Sequence, residues 1–386
     1  MAGSAAGKRL SVLVAHPSPD LYGSDRVLLE TVSGLIAAGH RVEVALPANG
    51  PLVDLLTGRG ATVTICPSPV LRKSALKPAG FLRLVVDTVK ALGPGLALVR
   101  STGADVVLVN TVTIPLWLVI GRLRGRRVVC HVHEAEGSQS ALVRRLLYLP
   151  LLLAHRLVIN SRFSRDVLVR SWGNLAARTR VVYNGVPGPL TAPRPPRPEP
   201  AADPHLLFLG RLSPRKGPEV VIRAVAELRS RGIDADLALL GAVFPGYEWF
   251  QAELIALVAE LGLQDVVTFL GFDPGIWAHL DACDIVVVPS VVDEPFGNTA
   301  VEAILALRPL VVSATSGLRE AADGYAAARF VPPGDPVAVA DAVAGLLADW
   351  PAVVAGLPAD RERAEVRHSA EVYGAAMAAQ VTGAEA

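Results

Sequence analysis

With 386 residues, 51% of them hydrophobic and 19% charged, the chain can fill two cores and is too apolar for extended disorder. Its net charge of +1 hides an asymmetry: residues 1–187 hold 23 Lys and Arg against 10 Asp and Glu (+13), and the remainder 14 against 26 (−12). A basic half suits an anionic partner such as a lipid headgroup, a phosphorylated acceptor or nucleic acid, unless it merely follows from an Ala- and Arg-rich composition.

The opening stretch MAGSAAGKRLSVLVAH has no secretory h-region, because its apolar run is short and meets His16 and Pro17, so a cytoplasmic protein is expected. Leu10 to His16 then reads as a strand and Asp25 to Gly39 as a helix with apolar positions at Val27, Leu28, Val32, Leu35 and Ile36. The alternation continues with strands at 41–46, 61–66, 105–109 and 127–132 and helices at 52–57 and 81–92. Strands apolar on both faces and separated by helices imply a covered parallel sheet. The most apolar run, Leu146 to Ala154, is less than half a bilayer span and is flanked by Arg144, Arg145, His155 and Arg156.

From Pro187 to Pro204 the sequence PGPLTAPRPPRPEPAADP carries eight prolines, each removing a backbone donor, so 188–204 reads as an extended linker. The pattern then restarts, with strands at 205–209, 236–240, 266–270, 285–288 and 309–312 and helices at 218–231, 249–261 and 298–307. The expected organisation is an N-terminal domain 1–187, the linker, and a C-terminal domain 205–386 whose last helices are free to pack back on the first. Two open parallel sheets place the ligand cleft at their carboxyl edges. Cys66, Cys130 and Cys283 form no CxxC pair and read as buried small hydrophobes in a reducing compartment.

The most informative segment is PSVVDEPFGNTAVEAILA, Pro289 to Ala306. Glu294 follows a strand and Glu302, eight positions on, falls in the first turns of the next helix. Gly297, Asn298 and Thr299 offer free amides at that helix start, where an anionic or hydroxyl-rich ligand is favoured, and ionised carboxylates accept from neighbouring hydroxyls. Taken alone, Glu294 is equally a surface loop acid and Glu302 a charge favourable to the helix dipole. The second segment, GRLSPRKG at 210–217, supplies Arg211 and Lys216 at the end of a strand, a fork and a point charge suited to a diphosphate, or else a solvated basic turn.

Together these motifs resemble glycosyltransferase family 4, over Leu10 to about Tyr373. YGSDRVLLETVSGLIAAGHRV, VHE, VYNGV, GRLSPRKG, EPFGNTAVEAI and FVPPGDP occur in the family's order, and EPFG…E is similar to its E-x7-E signature. The resemblance implies a GT-B fold, two Rossmann-like domains facing across a central cleft, and a metal-independent transferase with no cofactor that moves a sugar, with retention, from a UDP- or GDP-sugar to an acceptor hydroxyl. It implies that Arg211 and Lys216 bind the donor diphosphate, Glu302 the ribose and Glu294 the transferred sugar. Amides of Phe296, Gly297, Asn298 and Thr299 would meet sugar and phosphate, Gly241 and Gly271 would line the nucleotide pocket, Gly23 would approach the diphosphate and His133 the donor sugar. Many relatives carry two glycines in the first loop, whereas here Gly23 precedes Ser24.

Rival readings fail on the residues. The DxD at Asp234 to Asp236 ends a surface turn before a strand, and His131 with His133 lacks the further ligands of a metal site, so no metal is expected and His131 reads as structural. No G-x-G-x-x-G or Walker P-loop occurs, which excludes a dinucleotide oxidoreductase and a P-loop NTPase, and no nucleic-acid partner is expected. A catalytically silent sugar-binding scaffold on the same fold is the remaining alternative. The basic N-terminal half and ALVRRLLYLPLLLAHR suggest a lipid-linked or anionic acceptor and weak peripheral attachment to the inner face of an anionic membrane.

Overall fold

The computed structural model describes residues 8–21, 23–71, 77–244 and 246–383, and the chain divides into two compact units, residues 1–185 with 370–386, and residues 186–369. The first unit alternates β1 (Ser11–Ala15), α1 (Gly23–Ala37), β2 (Arg41–Leu46), α2 (Pro51–Gly58), β3 (Thr62–Ile65), α3 (Pro78–Ser101), β4 (Val106–Val109), α4 (Leu116–Leu123) and β5 (Arg127–Val132). It continues through α5 (Ala141–Tyr148), β6 (Arg156–Ile159), α6 (Arg162–Ser171) and β7 (Thr179–Val181). Among the described residues its strands form one parallel sheet in the order β3-β2-β1-β4-β5-β6-β7. The central strands are buried on both faces, as Val12, Leu13, Val14, Val107 and Leu108 show, which is why they read as continuous apolar runs rather than alternating ones.

The sequence ends α3 at Leu92, before Gly93-Pro94-Gly95, but the helix continues to Ser101 with Pro94 inside it. Tertiary packing overrides the local breakers there: the buried face Ala91, Gly95 and Val99 lies on α4, and a Cβ on Gly95 would come within 2.4 Å of Ile120 Cδ1. The apolar run at 146–154 divides between the end of α5 and a 3-10 turn, Leu149–Leu153. Tyr148 and Leu151 are buried while Leu142, Val143, Leu146 and Leu149 stay exposed. Among the described residues no single helix is long and apolar enough to cross a membrane.

The second unit holds β8 (His205–Leu209), α7 (Pro218–Ser230), β9 (Asp236–Leu240), α8 (Glu248–Glu260), β10 (Val267–Gly271), α9 (Ile276–Ala282), β11 (Ile285–Val288), α10 (Asn298–Leu305), β12 (Leu310–Ser313), α11 (Ser316–Ala322), β13 (Ala328–Val331), α12 (Pro336–Ala348) and α13 (Trp350–Arg367). Its parallel sheet runs β10-β9-β8-β11-β12-β13 among the described residues, around a core that includes Phe208, Leu239, Val287 and Trp350. The proline-rich stretch has no helix or strand, yet it is laid on this unit. The guanidinium of buried Arg308 donates to the carbonyls of Leu280 (2.7 Å), Asp281 (3.0 Å) and Arg194 (3.0 Å), and Trp350 Nε1 donates to the Arg197 carbonyl at 2.9 Å.

The last helix, α14 (Ala370–Thr382), belongs to the first unit. It crosses α1 at two glycines, where a Cβ on Gly34 would sit 2.3 Å from Gly374 Cα, so the backbones meet directly. Thr31 Oγ1 and Tyr373 OH lie 2.6 Å apart in this buried contact, worth about 1 kcal/mol net for a satisfied pair. Met377, Ala378 and Val381 complete a core with Val27, Leu28, Val32 and Leu35.

Candidate active site

In each sheet the strand order reverses beside the first strand, between β1 and β4 and between β8 and β11. Ligands of open parallel sheets bind outside the carboxyl ends of the strands at such switch points. In the second unit the residues after β8 and β11 are Gly210 to Gly217 and Pro289 to Gly297, the two segments singled out from the sequence. The fold brings them together: Lys216 Nζ lies 2.9 Å from Glu294 Oε1. The Glu294 side chain is 10% exposed and also accepts from Ser290 Oγ at 2.9 Å, so it is fixed by two partners, while the Lys216 side chain is 31% exposed.

The backbones around this pair are packed too closely for ordinary side chains. Gly241, after β9, has φ 151° and pairs with Gly271 through a 2.8 Å bond from its N–H to the Gly271 carbonyl; an added Cβ would lie 1.8 Å from the Gly210 carbonyl oxygen. Only glycine fits there. On the other side, a Cβ on Gly317 of α11 would lie 2.1 Å from the Glu294 carbonyl oxygen, and Ser316 Oγ donates to Asp293 Oδ1 at 2.7 Å. Ser290, Ser316 and Gly317 therefore hold the acidic loop in place. The sequence offered no signal for them, since their partners are loop atoms set by the tertiary fold.

Arg211 lies half-buried over the Phe244 ring, its Cζ 3.3 Å from the centroid. α10 begins at Asn298 after Gly297, which takes φ 123° and has no side chain to cap the helix, and the Ala300 amide donates to the Gly297 carbonyl at 3.1 Å. Asn298, Thr299 and Glu302 are half-buried on that helix, whereas the Phe296 ring is buried edge-on to His368, 5.5 Å between centroids. Asp234 and Asp236 of the DxD are paired within the fold, with Arg229 at 3.3 Å and with His205 at 2.6 Å.

At the carboxyl edge of the first sheet stand Gly23, exposed at the start of α1, and His133, half-buried just beyond β5. His133 Nε2 lies 3.1 Å from Asn110 Oδ1, Asn110 Nδ2 3.0 Å from His16 Nδ1, and His16 Nε2 2.7 Å from Asp25 Oδ1. His16 and Asn110 are the first residues after β1 and β4, whereas the sequence alone runs the first strand through His16. Glu134 turns inward, accepting from Thr111 Oγ1 and from the His133 amide at 3.1 Å; burial raises its pKa against the pull of those bonds. His131 is fully buried, its ring 3.9 Å from that of His133, with no hydrogen-bond partner for either nitrogen among the described residues. Burial pushes its pKa down to about 3, and burial followed by the neighbouring His131 and His16 holds His133 well below the usual imidazole range. No group of three or more His, Cys, Asp or Glu that would hold a metal occurs among the described residues.

Two parallel α/β units with these loops at their switch points define a GT-B-type transferase fold. The model of Glycosyltransferase Family 4 matches residues 22–187 and that of Glycosyl transferases group 1 matches residues 192–364. The D-inositol 3-phosphate glycosyltransferase of Nocardia farcinica is 34% identical over 402 residues, covering 92% of this chain and 82% of that protein. The chain belongs to glycosyltransferase family 4. The match to the enzyme of that name from Saccharomonospora viridis is 36% identical and covers 50% of this chain; the chain spans 47%, about half, of that relative's length. Among solved structures, Anabaena HepE in complex with UDP and glucose superposes with a TM-score of 0.79 at 22% identity, over 97% of this chain and 100% of that one. The sucrose-phosphate synthase of Thermosynechococcus elongatus superposes with a TM-score of 0.75 at 22% identity, over 98% of this chain and all of that one.

Proposed function

We infer that the protein is a retaining glycosyltransferase that moves a sugar from a nucleoside diphosphate sugar to an acceptor hydroxyl. The observation that carries this reading is the Lys216–Glu294 pair, 2.9 Å apart at the switch point of the second sheet. It offers a cation to a diphosphate and a carboxylate to sugar hydroxyls within one hydrogen-bond length. The HepE structures, with UDP and with UDP-glucose, favour a uridine nucleotide over guanosine.

In this reading Arg211, Lys216 and the first amides of α10 stabilise the charge that grows on the departing diphosphate. Glu302 holds the ribose, Glu294 the transferred sugar, and His133 a further sugar hydroxyl. Gly23, Gly241 and Gly271 let backbone approach the nucleotide, and the amides of Phe296 to Thr299 meet sugar and phosphate. The bond from the anomeric carbon to the diphosphate oxygen breaks as the acceptor oxygen bonds on the same face. The acceptor proton passes to the departing phosphate oxygen, so neither an enzyme nucleophile nor a metal is required.

The acceptor we assign is anionic, in keeping with the +13 balance of residues 1–187 and with the phosphorylated acceptor in the names of the relatives. Weak attachment to an anionic bilayer fits the exposed Leu142, Val143, Leu146 and Leu149 beside Arg144 and Arg145. Salt-sensitive sedimentation with anionic vesicles checks it, and equal recovery with and without vesicles at low salt removes it. The function itself is tested by a thermal-shift screen of the protein against UDP- and GDP-sugars. Stabilisation by one donor supports it; a flat response at millimolar ligand leaves a silent scaffold.

A further inference from the structure

The polar chain at the edge of the first sheet runs from a carboxylate to a single accessible group. Asp25, His16 and Asn110 are 2%, 0% and 1% exposed, whereas His133 at its end is half-buried. Buried polar groups are costly unless satisfied, and apolar residues of the same shape often fill such places equally well. Each link leaves one arrangement of protons. A carboxylate only accepts, so His16 Nε2, 2.7 Å from Asp25 Oδ1, carries a hydrogen. His16 Nδ1 faces the amide nitrogen of Asn110 at 3.0 Å and must accept from it. Asn110 then has only its carbonyl oxygen for His133, and His133 donates from Nε2 across 3.1 Å.

We propose that Asp25, His16 and Asn110 are positioning residues that lock His133 as the Nε2–H tautomer and so present its Nδ1 lone pair as the acceptor for a hydroxyl of the transferred sugar. This rests on the transferase reading and adds which ring nitrogen meets the sugar and what decides it. The hydrogen bond at one imidazole nitrogen fixes the role of the other, and a carboxylate orienting a histidine is a recurrent device of that kind. Here the orientation is passed through one more imidazole and one amide. Burial first, and then the His131 ring 3.9 Å away and His16, disfavour a second proton on His133, as the lock requires.

The test is nitrogen NMR of the whole protein carrying labelled histidine, in mildly alkaline solution, with the His133 signals identified by their loss in His133→Gln. The parent protein should show His133 protonated at Nε2 alone. In Asp25→Asn the new amide can donate to His16 Nε2, which frees His16 Nδ1–H to turn Asn110 around, so His133 should shift toward the Nδ1–H form. Donor kcat/KM should fall about tenfold or more with it. The double variant Asp25→Asn with Asn110→Asp places an acceptor-only group beside His133 and should restore both the tautomer and most of the activity.

A parent spectrum with Nδ1–H, an Asp25→Asn spectrum unchanged from the parent, or a double variant that restores neither property overturns the proposal. The parent spectrum decides even where a variant does not fold. Because the tautomer is read in the free protein, a lock that behaves as stated in a protein that turns over no sugar nucleotide would sink the transferase reading and leave the lock standing.

Discussion

Lys216 and Glu294, 78 positions apart in the chain, lie 2.9 Å from one another, and the carboxylate is held from behind by Ser290. Truncating the lysine therefore removes the cation that would face a diphosphate and unbalances a nearly buried acid. Lys216→Ala should reduce kcat by about 10²–10³, the usual cost of losing one preorganised stabiliser of developing charge, with a smaller change in donor affinity. Glu294→Gln should alter both constants and weaken binding of the full sugar nucleotide more than of the bare diphosphate. Steady-state kinetics with calorimetric binding of both ligands reads the difference.

Glu302, on α10, is assigned a ribose contact made alike in ground and transition states. Glu302→Gln should raise the donor KM about tenfold and leave kcat nearly unchanged, the signature of lost uniform binding. A fall in kcat at unchanged KM would reassign this residue to the chemical step.

Gly241 combines a φ of 151° with an approach that would set a Cβ 1.8 Å from the Gly210 carbonyl. Gly241→Ala should cost at least about 1–3 kcal/mol through the backbone conformation alone. Thermal unfolding should show it as roughly 2–4 °C per kcal/mol for a unit of this size, together with loss of nucleotide binding. Gly262→Ala, where the left-handed φ of 67° has nothing within 4 Å, separates conformational strain from collision.

His131 is buried as the neutral ring, with its pKa lowered to about 3. The unfolded chain binds a proton near pH 6.5 that the folded chain refuses, so stability is complete above the unfolded pKa and is lost as pH falls below it. The slope per such group approaches about 1.4 kcal/mol per pH unit. Between about pH 6.5 and 5, above the ordinary carboxylate range, His131→Asn should unfold with a visibly flatter pH dependence than the parent in urea titrations. Equal slopes would mean that the His131 ring is hydrated in the folded protein.

In the proposed mechanism Arg211, Lys216 and the start of α10 would supply the positive charge that a metal would otherwise bring to the diphosphate. Transfer should continue in excess chelator. Abolition by chelation, with rescue by added manganese or magnesium, would overturn the metal-free mechanism.

The alternating strands and helices of both sheets were legible because parallel strands buried on both faces leave continuous apolar runs, and 41–46, 127–132, 205–209, 236–240 and 285–288 coincide with β2, β5, β8, β9 and β11. The family motifs marked Lys216 and Glu294, and the fold brings them into contact. The length of α3 was not legible, since Pro94 and its flanking glycines argue locally for a stop that packing on α4 overrides. Nor was the Asp25–His16–Asn110 line, whose successive members are 9 and 94 positions apart and carry no spacing rule; only adjacency of β1 to β4 makes His16 and Asn110 neighbours. Ser290 and Ser316 were invisible for the same reason.

The crossing of α1 by α14 has a consequence for biosynthesis. Residues 186–369, a whole compact unit, are translated between the body of the first unit and the helix that finishes its core. Until Tyr373, Met377 and Val381 emerge, the faces of Val32 and Leu35 that they cover stay in contact with water or with a chaperone. The unit made first is thus completed last, and a chain cut short at residue 369 has its second unit whole and its first without α14.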